Sequence, residues 1–225
     1  MALFVIATPI GNDQDLSTRA RQILASAELI IGEELKELRQ ILKSAGVQAQ
    51  AMDQLNEHSG PADIEHFVKE AQSKTVALVS DCGTPGFCDP GADLVNACHD
   101  AGVEVHPVPG ASSLMAFLSI CGLRLDRFIF FGFLPAKNEL REKAWAALKK
   151  ESLPVILMET PYRSGKLFDE LATHVPQRFC VLGMNLTQPA QKLIRGTGLE
   201  CRKLKLEQAE PIALIMPQGF KPKKV

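Results

Sequence analysis

Four times in the first 110 residues, a short run of apolar, strand-forming residues gives way to a stretch with helical spacing. This alternation constrains the fold more than any other feature of the chain. The runs are residues 3–7 (Leu-Phe-Val-Ile-Ala), 28–32, 75–79 (Thr-Val-Ala-Leu-Val) and 103–105. Uninterrupted apolar runs of this length fit strands covered on both faces, as in a parallel sheet. Ser17 caps the first expected helix, which has Ala20, Ile23 and Leu24 at helical spacing. Residues 34–45 form the next, with Leu35, Leu38, Ile41 and Leu42 on one face and Gly46 as its stop. Further helices are expected over 61–72, with Pro61 in the first turn, over 91–101, and over 112–121, which Gly122 ends. The pattern predicts an open, mainly parallel α/β sheet whose ligands sit beyond the carboxyl ends of the strands.

The second half is built differently. Strands are expected at 127–133, 154–159, 179–186, 192–197 and 210–216, with helices at 138–150 and 164–174. No helix separates the runs between 179 and 197, which requires antiparallel pairing there. The expected organisation is an α/β domain over 1–123, an α+β mixed-sheet domain over 124–217 and a basic tail over 218–225. Charge divides at the same place. Residues 1–124 hold 8 Lys and Arg against 16 Asp and Glu, a net −8; residues 125–225 hold 17 against 10, a net +7. A basic second half suits a polyanionic partner.

Composition narrows the class. With 46% hydrophobic and 23% charged residues, the chain is neither disordered nor fibrous. Its longest apolar run, residues 128–135, is far short of the ~18 residues that cross a bilayer. The opening Met1-Ala2-Leu3-Phe4-Val5-Ile6 lacks the basic region of a signal peptide and reads as a strand, so a cytoplasmic protein without membrane contact is expected. Six cysteines show no metal-like spacing, and buried, reduced thiols with no metal site are the expectation.

The densest chemical signal is Ser80-Asp81-Cys82-Gly83-Thr84-Pro85-Gly86-Phe87-Cys88-Asp89-Pro90-Gly91, directly after the run 75–79. Its glycines and prolines fix the backbone and let a ligand come close, and Asp81 at the strand end can accept from an ammonium or hydroxyl. No phosphate-binding glycine motif or lysine accompanies it, so a cationic or zwitterionic small ligand is expected rather than a dinucleotide. Two further loops, Thr8-Pro9-Ile10-Gly11-Asn12 and Val108-Pro109-Gly110-Ala111-Ser112-Ser113, end other strands.

Taken in order, Ala7-Thr8-Pro9-Ile10-Gly11-Asn12, Ser80–Gly86, Asp89-Pro90-Gly91, Pro109-Gly110-Ala111-Ser112, Phe131-Gly132-Phe133-Leu134-Pro135, Glu159-Thr160-Pro161-Tyr162-Arg163 and Arg195-Gly196-Thr197 resemble the tetrapyrrole (corrin/porphyrin) methylase family. Within it they resemble the branch that methylates small-subunit ribosomal RNA on ribose. The resemblance implies a two-domain tetrapyrrole-methylase-like α/β fold, a homodimer, and S-adenosyl-L-methionine bound in an interdomain cleft. It places the cofactor against Pro9, Asp81, Gly83, Thr84, Pro85, Ser112, Ser113 and Phe117, with Met158, Asn185, Leu186, Pro211 and Ile212 from the second domain. The activity it implies is 2′-O-methylation of a cytidine ribose, with ribosomal RNA or the small ribosomal subunit as partner and no DNA.

A ribose hydroxyl acceptor needs a proton acceptor within hydrogen-bond reach. Candidates are Glu57 and His58, with Glu33 and Asp89; Lys36, Arg39 and Arg163 are candidates for RNA phosphates. The chain departs from the ribosomal branch at Glu33-Glu34-Leu35-Lys36, where Glu-Asp-Thr-Arg is usual, and at Met184-Asn185-Leu186-Thr187-Gln188, where Arg-Glu-Leu-Thr-Lys is usual. The C-terminal helical module of longer members is not expected. Methylation of a tetrapyrrole or other small molecule, and cofactor or RNA binding without turnover, are the alternative functions.

Overall fold

The computed structural model describes residues 1–88, 90–202 and 209–222. The chain divides into two compact units, Met1–Ser113 and Leu114–Val225.

The first unit carries β1 (Ala2–Ile6), α1 (Thr18–Ser26), β2 (Leu29–Gly32), α2 (Leu35–Ala45), β3 (Met52–Gln54), α3 (Pro61–Ser73), β4 (Thr75–Val79), α4 (Ala92–Asp100) and β5 (Val105–Val108). Its strands form one sheet in the order β3-β2-β4-β1-β5, and every adjacent pair is parallel. The two-residue period of a strand distributes the apolar runs to both faces. Val76 and Leu78 join Leu3, Leu29 and Ile31 against Phe67, Val68 and Ala71 of α3 and Leu94 and Cys98 of α4. Ala77 and Val79 join Ile6, Ile30 and Val108 against Ala20 and Leu24 of α1 and Leu38 and Leu42 of α2. The expected caps form: Ser17 Oγ accepts from the Ala20 N–H at 3.1 Å, and Gly46 closes α2 in the left-handed region at φ 69°.

Two details differ from expectation. The last strand runs Val105–Val108, later than residues 103–105, and includes Pro107. It lies at the edge of the sheet, where a residue without an N–H leaves no neighbour unpaired. The short edge strand β3 carries two polar residues and gives no apolar run to read.

In the second unit α5 (Ser113–Ile120) begins at the boundary, followed by β6 (Ile129–Phe133), α6 (Asn138–Leu148), β7 (Val155–Met158), α7 (Ser164–His174), β8 (Phe179–Met184), β9 (Lys192–Thr197), α8 (Gly198–Cys201) and β10 (Pro211–Ile215). The sheet order is β6-β7-β10-β8-β9. Only β6 and β7 run parallel; the other pairs are antiparallel, including β8 with β9. One face packs on α6 and α7 through Trp145, Leu148, Leu167, Phe168 and Leu171. Opposite them, the buried ring of Phe117 from α5 lies against Gly183. Of the expected basic tail, residues 223–225 lie outside the described residues.

Among the described residues no helix is long and apolar enough to cross a membrane. Four cysteines are buried as expected; Cys82 and Cys88 are exposed, because the loop after β4 holds them outside both cores.

Candidate functional site

Because all strands of the first sheet are parallel, their carboxyl ends share one rim, and every loop singled out in the first half of the chain opens there. The loops after β1, β4 and β5 are stitched together. The Thr8 N–H donates to the Gly83 carbonyl at 2.8 Å, and the buried Thr8 hydroxyl donates to the Ser80 carbonyl at 3.0 Å. The Ala7 N–H donates to Val108 O at 3.1 Å, and the Thr84 hydroxyl to Ala111 O at 3.2 Å. Gly83 holds φ at 84°, a conformation side chains rarely adopt, and a Cβ on Gly110 would lie 2.9 Å from the Ala7 Cβ. The three loops therefore form a single rigid edge.

Asp81 sits at the end of β4 on this edge. One carboxylate oxygen accepts from the Glu34 N–H at 3.1 Å. Burial pushes its pKa above the ordinary carboxylate value; that hydrogen bond opposes the shift, and nearby Glu37 and Glu34 add to it. A desolvated carboxylate beside two others favours a cation as its neighbour. Pro9, Gly11 and Asp81 border a cleft of about 540 Å³, closed on its far side by Glu37, Gln40 and Lys43 of α2. That volume is within the range of small-molecule sites. The donor set suits a ligand carrying an ammonium and a sulfonium, as expected for S-adenosyl-L-methionine.

Only Pro9 and Asp81 of the expected cofactor residues line this cleft. Gly83 and Pro85 are buried within the stitched edge, Thr84 is exposed on it, and Ser112 and Ser113 lie half-buried at the end of the loop after β5. Phe117 is fully buried in the second unit.

The expected acceptor residues share the rim in part. Glu33 follows β2, and its carbonyl accepts from Gln54 Nε2 at 2.8 Å. Glu57 and His58 follow β3 in a turn where the Asn56 side chain accepts from the His58 N–H at 2.9 Å. They pair with each other at 3.7 Å, with side chains 85% and 84% exposed. Lys36 and Arg39 are exposed on α2; Arg39 borders a second, shallower cleft with Met52 rather than the one at Asp81. Asp89 lies outside the described residues.

In the second unit, pairing of β10 with β7 and β8 gathers the expected residues at one end of the sheet: Ile212 lies opposite Met158, and Pro211 opposite Met184. Asn185 and Leu186 follow directly, and Asn185 Oδ1 accepts from the Glu210 N–H at 2.9 Å. Arg163 is engaged by the protein itself: Nη2 lies 2.6 Å from Glu159, Nε donates to the Thr160 hydroxyl, and its side chain is 28% exposed.

Sequence reading missed the group beneath that arginine. Fully buried Arg141 reaches Glu159 at 2.8 Å and Glu170 at 2.7 Å, and donates to the carbonyls of Leu134 and Pro135. This network holds the Glu159–Arg163 turn beside Met158. Its one visible signal was Glu159, an acidic residue directly after a buried apolar strand.

Comparison with known proteins agrees with this architecture. The chain is 36% identical over 196 residues to "Ribosomal RNA small subunit methyltransferase I" of Neisseria meningitidis serogroup B, covering 87% of this chain and 67% of that protein. It is 39% identical over 197 residues to the protein of the same name from Xylella fastidiosa, covering 87% and 72%. Among solved structures, a diphthine synthase superposes with a TM-score of 0.74 at 13% identity, covering 96% of this chain and 90% of that one. A uroporphyrin-III C-methyl transferase from Thermus thermophilus, complexed with S-adenyl homocysteine, gives 0.65 at 16% identity, covering 96% and 97%. At these identities the structures speak for the fold. The family model for Tetrapyrrole (Corrin/Porphyrin) Methylases matches residues 2–200. The chain belongs to this family and is a methyltransferase.

Proposed function

We propose that this protein transfers a methyl group from S-adenosyl-L-methionine to small-subunit ribosomal RNA, at the 2′-oxygen of a cytidine ribose. The observation that carries the reading is identity of 36–39% over 87% of the chain to relatives named for that RNA. Asp81, Pro9, Gly83, Thr84, Pro85, Ser112 and Ser113 are the cofactor contacts from the first unit. Phe117, Met158, Asn185, Leu186, Pro211 and Ile212 are those from the second. When bound, the cofactor supplies an electrophilic methyl carbon on a sulfonium. The Asp81 carboxylate favours the cationic end of that molecule, and the rigid loop edge fixes its position without reorganisation.

The chain must also accept the proton that leaves the ribose hydroxyl as the new C–O bond forms. His58, with Glu57 alongside, is the proposed base; a group so exposed can be reached by a bulky polymer on the protein surface. Glu33 and Asp89 are the other candidates on the same edge. Lys36 and Arg39 meet phosphates, and Arg163 positions the turn that carries it. A cytoplasmic homodimer is the proposed working form, tested by light scattering on the purified protein.

The family's name and the acidic first half favour a second reading, methylation of a tetrapyrrole. Purified protein, methyl-labelled cofactor and small subunits from cells lacking this gene separate the two. Label in small-subunit RNA that survives as a ribose-methylated nucleoside is expected. Label in uroporphyrinogen or a precorrin, with none in RNA, overturns the proposal.

A further inference from the structure

The loop after β8 concentrates two unfavourable features on one residue, Thr187. Its backbone is left-handed, at φ 65°. Asn185, two residues before, is also left-handed at φ 49°, but asparagine tolerates this region and a β-branched side chain does not. The Thr187 hydroxyl is also buried with no hydrogen-bond partner among the described residues.

The rest of the loop is fully engaged and holds that residue in place. The Thr187 N–H donates to Gln191 Oε1 at 2.8 Å, the Gln188 N–H to Asn185 O at 3.1 Å, and the Gln191 N–H to Gln188 O at 2.9 Å. Gln188 Nε2 donates to Glu210 at 3.1 Å, and Asn185 Oδ1 accepts from the Glu210 N–H. Glycine would remove both the strain and the unpaired hydroxyl without disturbing these bonds. Strain of this kind persists where the surroundings impose it, and it collects at ligand sites. Thr187 also lies at the sheet end shared by Met158, Asn185 and Pro211.

We infer that the Thr187 hydroxyl is a hydrogen-bonding contact for the bound cofactor, held ready by a strained backbone that costs the free protein stability. This rests on the reading of the chain as a user of S-adenosyl-L-methionine. The hydroxyl can donate to a ring nitrogen or a carboxylate, or accept from an amino or hydroxyl group.

The test is calorimetric titration of the full chain with S-adenosylhomocysteine, alongside thermal melts without ligand. Wild-type protein binds, and Thr187→Val, which keeps the shape and loses the hydroxyl, binds about tenfold more weakly. Thr187→Ser keeps wild-type affinity. Thr187→Gly loses affinity like valine yet melts roughly 2–4 °C higher than wild type, as relief of strain requires. A merely structural threonine would not separate affinity from stability in this way. Wild-type binding with unchanged affinity in both Thr187→Val and Thr187→Gly overturns the inference and leaves the cofactor reading standing. No binding by folded wild-type protein overturns both.

Discussion

Arg141 and Glu170 form a two-pronged ion pair inside the second unit, with Nε 2.7 Å from one carboxylate oxygen and Nη2 2.8 Å from the other. Glu159 adds a second buried carboxylate to the same guanidinium at 2.8 Å. Removing the arginine leaves both acids without their central partner. Arg141→Met is expected to cost about 3–5 kcal/mol in urea unfolding, the usual result of breaking a buried pair from one side. A loss below ~1 kcal/mol would show that the carboxylates find other partners or water.

Gly183 shows the opposite limit, a place with no room. A Cβ there would lie 2.7 Å from the Phe117 ring and 3.1 Å from Ile212. Gly183→Ala should destabilise by about 1–3 kcal/mol through overpacking. Shrinking the ring with Phe117→Leu in the same chain should recover part of that loss. Strict additivity of the two single changes would count against direct contact.

His174 makes stability depend on pH. Its ring stacks on Trp145 at 4.9 Å, and its Nδ1 has no hydrogen-bond partner among the described residues. Burial lowers its pKa, Lys149 adds to the effect, and Glu142 and Glu170 oppose it. The unfolded chain therefore takes up a proton first as pH falls. The stabilising contribution is complete above about pH 6.5 and declines below it, down through the depressed folded value. Urea midpoints between pH 8 and 5 should fall less steeply in His174→Gln than in wild type. Parallel slopes would remove His174 as the cause.

Asp81 carries the opposite shift. With its pKa raised by burial, it protonates at higher pH than an ordinary carboxylate, and a cationic ligand then loses its counter-charge. Affinity for S-adenosylhomocysteine, which retains the ammonium, should weaken as pH falls into that range. Asp81→Asn should bind about tenfold more weakly at neutral pH and lose most of the pH dependence. An unchanged profile would place the ammonium elsewhere.

The legible parts of this molecule were those written in local spacing. The run Thr75–Val79 predicted a strand covered on both faces, because alternate residues feed opposite cores. Asp81 was legible from its position just beyond that run. Arg141 was not: on α6 it reads as one more exposed helical charge, and its partners lie 18 and 29 positions further on. The left-handed backbone of Thr187 was equally hidden, since hydrogen bonds to Gln191 and around Glu210 hold the loop that contains it. The edge strand β3 escaped because three residues with an exposed methionine have no periodicity to detect.

The register of β1 bears on how this chain is made. Ala2 lies beside Thr75 and Leu3 beside Val105, so the first strand along the chain is an interior strand whose neighbours are among the last of its unit. During translation Leu3 and Ile6 leave the ribosome long before either neighbour exists. Until β4 emerges, that greasy segment is a ready target for chaperones or for pairing with another nascent copy.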